Sequence, residues 1–206
     1  MSKRRSYAKG WDVGKWFARR KKKSALSLAK ANRRKINAST DYKHLYTTTT
    51  VHDPVTTGTI IPLTEVAQGV TDITRIGDKI HAEHLHLRIN NLNSVTAEAI
   101  RVIIFKDMQQ HGTYPTVGGS NTSVLVSATY AEPIHYNNTN RFKIMYDRML
   151  LLDHNSTTGN QQININRKLN FNIKYIDNAA SEASNGAGSL FMLVISRVNG
   201  TPNKFT

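Results

Sequence analysis

His81, Glu83, His84 and His86 lie within six consecutive residues, and imidazoles beside a carboxylate can ligate a divalent metal. On an extended segment His84 and His86 share one face, because side chains alternate with a period of two. A metal site and a histidine pair facing solvent or a neighbouring subunit both satisfy this pattern. The other dense chemistry is cationic. Lys3, Arg4, Arg5, Lys9, Lys15, Arg19, Arg20, Lys21, Lys22, Lys23, Lys30, Arg33, Arg34 and Lys35 crowd the first 43 residues, interleaved with Trp11, Trp16 and Phe17. Such cations neutralise phosphates and release counterions, and the rings stack on unpaired bases at roughly 1–3 kcal/mol each.

Catalytic patterns find little support. His84-Leu85-His86 resembles the His-hydrophobic-His signature of rolling-circle replication nucleases, which comes with a tyrosine nucleophile, typically with Lys three residues on. None of the eight tyrosines has Lys at that position. Neither a phosphate-cradling Gly-x-x-x-x-Gly-Lys-[Ser/Thr] nor a Gly-x-Ser-x-Gly elbow occurs, and Gly118-Gly119 reads as a loop hinge. The carboxylates lack a paired pattern; Asp147 and Asp153 would sit near opposite ends of one strand. Cysteine is absent, which removes disulfides, thiolate metal sites and cysteine nucleophiles. The chain is expected not to be an enzyme and to need no cofactor. A metal-dependent nuclease using His81, Glu83, His84 and His86 is the enzymatic alternative.

Charge divides the chain. Residues 1–43 hold 15 Lys and Arg against Asp12 and Asp41, a formal +13, whereas residues 44–206 hold 13 bases and 12 acids. This reads as a basic nucleic-acid-binding arm, 1–43, on a near-neutral body, 44–206, with a polyanion held by the arm. Self-repulsion and scarce apolar residues predict an arm that is disordered when free or partly helical, since 13–36 has no Pro and only Gly14. A basic helix can also lie on an anionic membrane, but single-stranded nucleic acid fits better. The same clusters match a nuclear localisation signal, and hence nuclear import receptors as partners. No stretch approaches the 18 or so apolar residues of a membrane span, and the start of the chain lacks a signal-peptide apolar core. A soluble chain without a membrane partner is expected.

The body must position whatever the arm leaves to it. From 163 to 175 the odd positions are Ile163, Ile165, Arg167, Leu169, Phe171, Ile173 and Tyr175, separated by Asn and Lys, which predicts a long strand with one wet face. His84, His86 and Arg88 alternate with Leu85, Leu87 and Ile89 in the same way. Segments 100–105, 149–152 and 190–195 are apolar on both parities, as for strands covered on both faces by loops or neighbouring subunits. A further strand is predicted at 59–66. No body segment longer than 123–130 asks to be a helix, and turn residues punctuate the rest. The fold class is therefore all-β, an antiparallel sandwich of jelly-roll type.

Gln68, Gly69, Arg75, Gly77, Asp78, Lys79 and Ile80, followed by strands at 84–90 and 99–107, carry a resemblance. They are similar to the segment that leads into a long strand in jelly-roll capsid (coat) proteins of small circular single-stranded DNA viruses, circovirus-like and Rep-encoding. Gly77 and Asp78 read as a structural turn. The resemblance implies an icosahedral T=1 shell of about 60 copies, with the body as wall and the arm inside on single-stranded nucleic acid. It places the protein in the virion, and in the host nucleus during assembly. Similar arms and jelly rolls occur in coat proteins of small RNA viruses and satellites, so the genome type stays open, with DNA favoured over RNA. A cellular basic protein of ribosomal or chromatin type is the alternative, although such proteins usually spread charge over the folded domain.

Overall fold

The computed structural model describes residues 25–32, 43–45, 55–90, 98–152 and 162–197. The chain divides into two units, Met1–Lys43 and His44–Thr206. In the first, residues 25–32 form a helix, α1, built from the Ala- and Leu-rich run Ala25-Leu26-Ser27-Leu28-Ala29, and these residues are exposed.

Among its described residues the second unit has six strands: β1 Thr59–Pro62, β2 Lys79–Asn90, β3 Glu98–Asp107, β4 Phe142–Leu152, β5 Gln162–Lys174 and β6 Ser189–Ser196. Their antiparallel pairing is nested, β1 with β6, β2 with β5 and β3 with β4. A chain paired in this way is one long hairpin. Pairing of β3 with β6 then rolls it into a four-stranded sheet, β1-β6-β3-β4, facing the two-stranded sheet β2-β5. The fold is an all-β antiparallel jelly roll.

Strand composition follows from what covers each face. Ile100, Val102, Ile104, Met192 and Val194 pack with Ile89 and Ile165 of the second sheet. On the opposite face of the same sheet, Ile103, Phe105, Phe191, Leu193 and Ile195 pack with Val124, Leu125 and Phe142. Both parities of β3 and β6 are thus buried, by the second sheet on one side and by the irregular segment 108–141 on the other. Burying each such side chain contributes roughly 1.5–3 kcal/mol. On β5 every even position from 162 to 174 is exposed, the expected wet face. A bulge lies where Ala82 pairs Phe171 but His84 pairs Lys168, giving β5 one residue more than β2, with Asn170 at φ 60°.

Three expectations need correction or narrowing. The strand predicted at 59–66 ends at Pro62, beyond which Leu63 N–H bonds only to Leu190 O at the end of the ladder. On the edge strand β4, Met149 and Leu151 are 53% and 75% exposed within the single chain, so of the two expected covers for 149–152 its own loops do not supply one. Segment 123–130 is not helical. It makes isolated bridges, Thr116 with Ser123 and Leu125 with Ile134, and Gly118 lies so close to Ser127 that it is a point of backbone contact rather than a hinge.

Candidate nucleic-acid interface and subunit surface

Of the arm residues singled out for nucleic-acid contact, Lys30 lies on α1 and is exposed. Lys3, Arg4, Arg5, Lys9, Trp11, Lys15, Trp16, Phe17, Arg19, Arg20, Lys21, Lys22, Lys23, Arg33, Arg34 and Lys35 lie outside the described residues.

The histidine segment is on β2. His84 and His86 are exposed on one face, opposite Lys168 and Asn166 of β5. His81 sits on the other side of the bulge, where its Nδ1 lies 3.0 Å from Asn172 Oδ1, and Glu83 is half-buried. Two cationic or amide neighbours across the strand do not make a cation site. Among the described residues no group of three or more His, Asp or Glu is placed to hold a metal.

The Gln68–Ile80 segment has a structural role centred on Arg75. This side chain is 2% exposed, and its Nε–H donates to Val66 O at 3.0 Å. Its other nitrogens donate to Gly77 O and Asp177 O, and the guanidinium lies 4.2 Å over the Tyr175 ring. Gln68 N–H donates to Asn178 O, and Gly69 N–H to Arg75 O, closing the loop on itself. Gly77 adopts φ 76°, the left-handed region that favours glycine, which turns the chain into β2. Asp78 is 3.6 Å from Arg75 but 80% exposed, so this ion pair contributes little. The loop is therefore fixed from within, while Val70, Ile73 and Ile76 stand 93%, 62% and 71% exposed on its outside.

Two further ion pairs fix the segment that covers the four-stranded sheet. Arg101 holds Asp147 through Nε and Nη2 at 2.8 and 2.7 Å and reaches across to Glu132 O, tying β3 and β4 to the covering segment. The bond to Asp147 raises the Arg101 pKa above its ordinary value, against the opposing effect of burial. Asp107, fully buried, accepts from Arg141 Nη2 at 2.8 Å and from Gln109 N–H.

A groove of about 560 Å³ lies between β4 and β5, lined by Tyr146, Arg148 and Leu150 on one side and by residues 162–167 on the other. Among the described residues its charged lining is Arg148 and Arg167, both exposed. Sequence reasoning did not single out this groove. The signal was present in one place: Arg167 is the single charged residue in the odd, otherwise apolar series of β5.

Jelly rolls occur in viral capsid and lectin domains, among others. A family model described as satellite tobacco necrosis virus coat protein matches residues 17–204, and the chain belongs to this family. The protein is accordingly a viral coat protein, a component of the virion. The resemblance to coat proteins of circular single-stranded DNA viruses holds at the level of a jelly-roll capsid protein, while the matched family is a different one from that suggested by the Gln68–Ile80 motif. No curated protein matches the chain significantly.

Proposed function

We propose that this coat protein self-assembles into a small icosahedral T=1 shell and packages single-stranded nucleic acid through residues 1–43. The observation that carries the reading is the family match over 17–204 together with the concentration of +13 in the first 43 residues. With about 60 copies, the arms would carry roughly 780 positive charges inward, enough to offset a genome segment of that order in nucleotides. The nearly neutral body suits close contact between copies, since like charges across a subunit contact are costly.

The finer reading is a DNA genome, favoured by the Gln68–Ile80 motif, with the arm serving also as a DNA-binding segment and as a nuclear localisation signal that import receptors recognise, and with assembly in the host nucleus. Nucleic acid extracted from purified particles should be digested by a DNase specific for single strands. Digestion by RNase alone would replace DNA by RNA and leave the shell reading standing.

Removal of residues 1–36 tests the arm. The truncated body should fold and lose nucleic-acid packaging. Equal polyanion binding by the truncated body, with the same salt slope, would move the binding site off the arm.

A further inference from the structure

Two surfaces of the body are unlike and complementary. The first is the loop over 69–78 with the adjoining turn at 176–178. Val70, Ile73, Ile76 and Ile176 are exposed there at 93%, 62%, 71% and 50%. The exposed charges within 69–78 and 176–178 are Asp72, Asp78 and Asp177, since Arg75 is turned inward onto three carbonyl oxygens, and exposed Lys79 and Lys174 pair beside them where β2 begins and β5 ends. The second is the groove between the edge strands β4 and β5. Half-buried Leu150 and Ile163 lie in it among Tyr146, Gln162, Asn164 and Asn166, above the buried Ile165, and among the described residues its charges are Arg148 and Arg167.

We propose that the 69–78 loop of one copy docks into the β4–β5 groove of the next, Val70, Ile73 and Ile76 against Leu150 and Ile163, with Asp72 and Asp78 facing Arg148 and Arg167. The inference rests on the shell reading and names the contact that such a shell would use. A contact between two different patches of the same chain is heterologous, and repeated around an axis it closes a ring. The exposed apolar side chains of the loop would be withdrawn from water there, and opposite charges would meet across the gap. The loop suits this role because Arg75 fixes it before docking, so little conformational entropy is lost on binding.

A phosphate-bearing strand is the other occupant that two exposed arginines could take. It would leave three exposed apolar side chains on the loop without a dry partner, which is why a second copy is favoured.

Charge reversal in the full-length chain tests the contact. Asp72→Lys with Asp78→Lys, and separately Arg148→Glu with Arg167→Glu, should each raise the subunit concentration needed for particles at least about tenfold by light scattering. The chain carrying all four changes should recover assembly. All four positions are exposed, so near-ultraviolet circular dichroism should remain that of the wild type; Val70→Asp, a single change at the most exposed position, should also impair assembly and gives a second readout. Wild-type assembly in either reversed pair, or loss in both without recovery in the combined variant, overturns the pairing. Particles that form normally from the Arg148→Glu, Arg167→Glu chain but lack nucleic acid would make the groove a nucleic-acid site and overturn it as well. A wild-type chain that never forms particles sinks the shell reading itself, and this contact with it.

Discussion

The guanidinium of Arg75 lies 4.2 Å over the ring of Tyr175, and the Tyr175 hydroxyl donates to Thr64 O at 2.9 Å. One stacked pair thus binds three stretches of chain: the end of β5, the segment after β1 and the loop that enters β2. Arg75→Gln leaves the carbonyls of Val66, Gly77 and Asp177 without their shared donor and removes the stack. The expected loss is about 3 kcal/mol or more by urea unfolding, since hydrogen bonds from charged donors are worth ~1.5–3 kcal/mol each. Asp78→Asn, at the exposed end of the same arginine, should change stability by less than about 0.5 kcal/mol.

Burial pushes the Tyr175 phenol up to about 12, with Arg75 opposing in part. An unfolded tyrosine titrates near 10, so between roughly pH 10 and 12 the folded chain binds the proton that the unfolded chain has lost. The folded-state pKa is raised, so this contribution of about 2–3 kcal/mol is fully present below pH 10 and is lost as pH rises toward 12. Unfolding midpoints measured across that window should fall steeply. Tyr175→Phe should flatten the slope, and Tyr114→Phe should flatten it further, because burial and then the bond to Glu65 raise the Tyr114 pKa as well.

A methyl group on Gly118 would sit 2.1 Å from the carbonyl carbon of Ser127, against backbone that cannot yield cheaply. Gly118→Ala should therefore destabilise the body by about 2 kcal/mol or more in thermal unfolding, a cost typical of overpacking. The neighbouring Gly119 has open space around it at φ 82°, so Gly119→Asn, a residue that tolerates this region, should cost about 1 kcal/mol or less.

Much of the jelly roll was legible because burial is local in sequence along a strand. The odd apolar series of β5 and the doubly apolar β3 and β6 were read correctly, each reflecting a face that is covered. At 149–152 the sequence does not distinguish a face covered by the chain's own loops from one left for a neighbouring subunit, and Met149 and Leu151 stand exposed on the single chain. Arg75 was visible as part of a motif but not as a lock, because one of its acceptors, Asp177 O, is 102 residues away. The groove at Arg148 and Arg167 was equally hidden, as it arises only when β4 and β5 come together from different sheets.

The histidines of β2 offer a clean contrast with the enzymatic alternative. His84→Ala with His86→Ala should leave folding and particle formation unchanged, with no bound metal or nuclease activity lost. Mass spectrometry for metal and a nuclease assay on the wild type and variant check this; a metal or activity present only in the wild type would revive the nuclease reading.

Negative-stain microscopy of the purified full-length chain, with the ultraviolet absorbance ratio of the same particles, tests the central division between an arm that holds nucleic acid and a body that holds its own copies. Uniform closed particles with a nucleic-acid absorbance signature are predicted. A chain that stays monomeric across salt and pH would contradict the account.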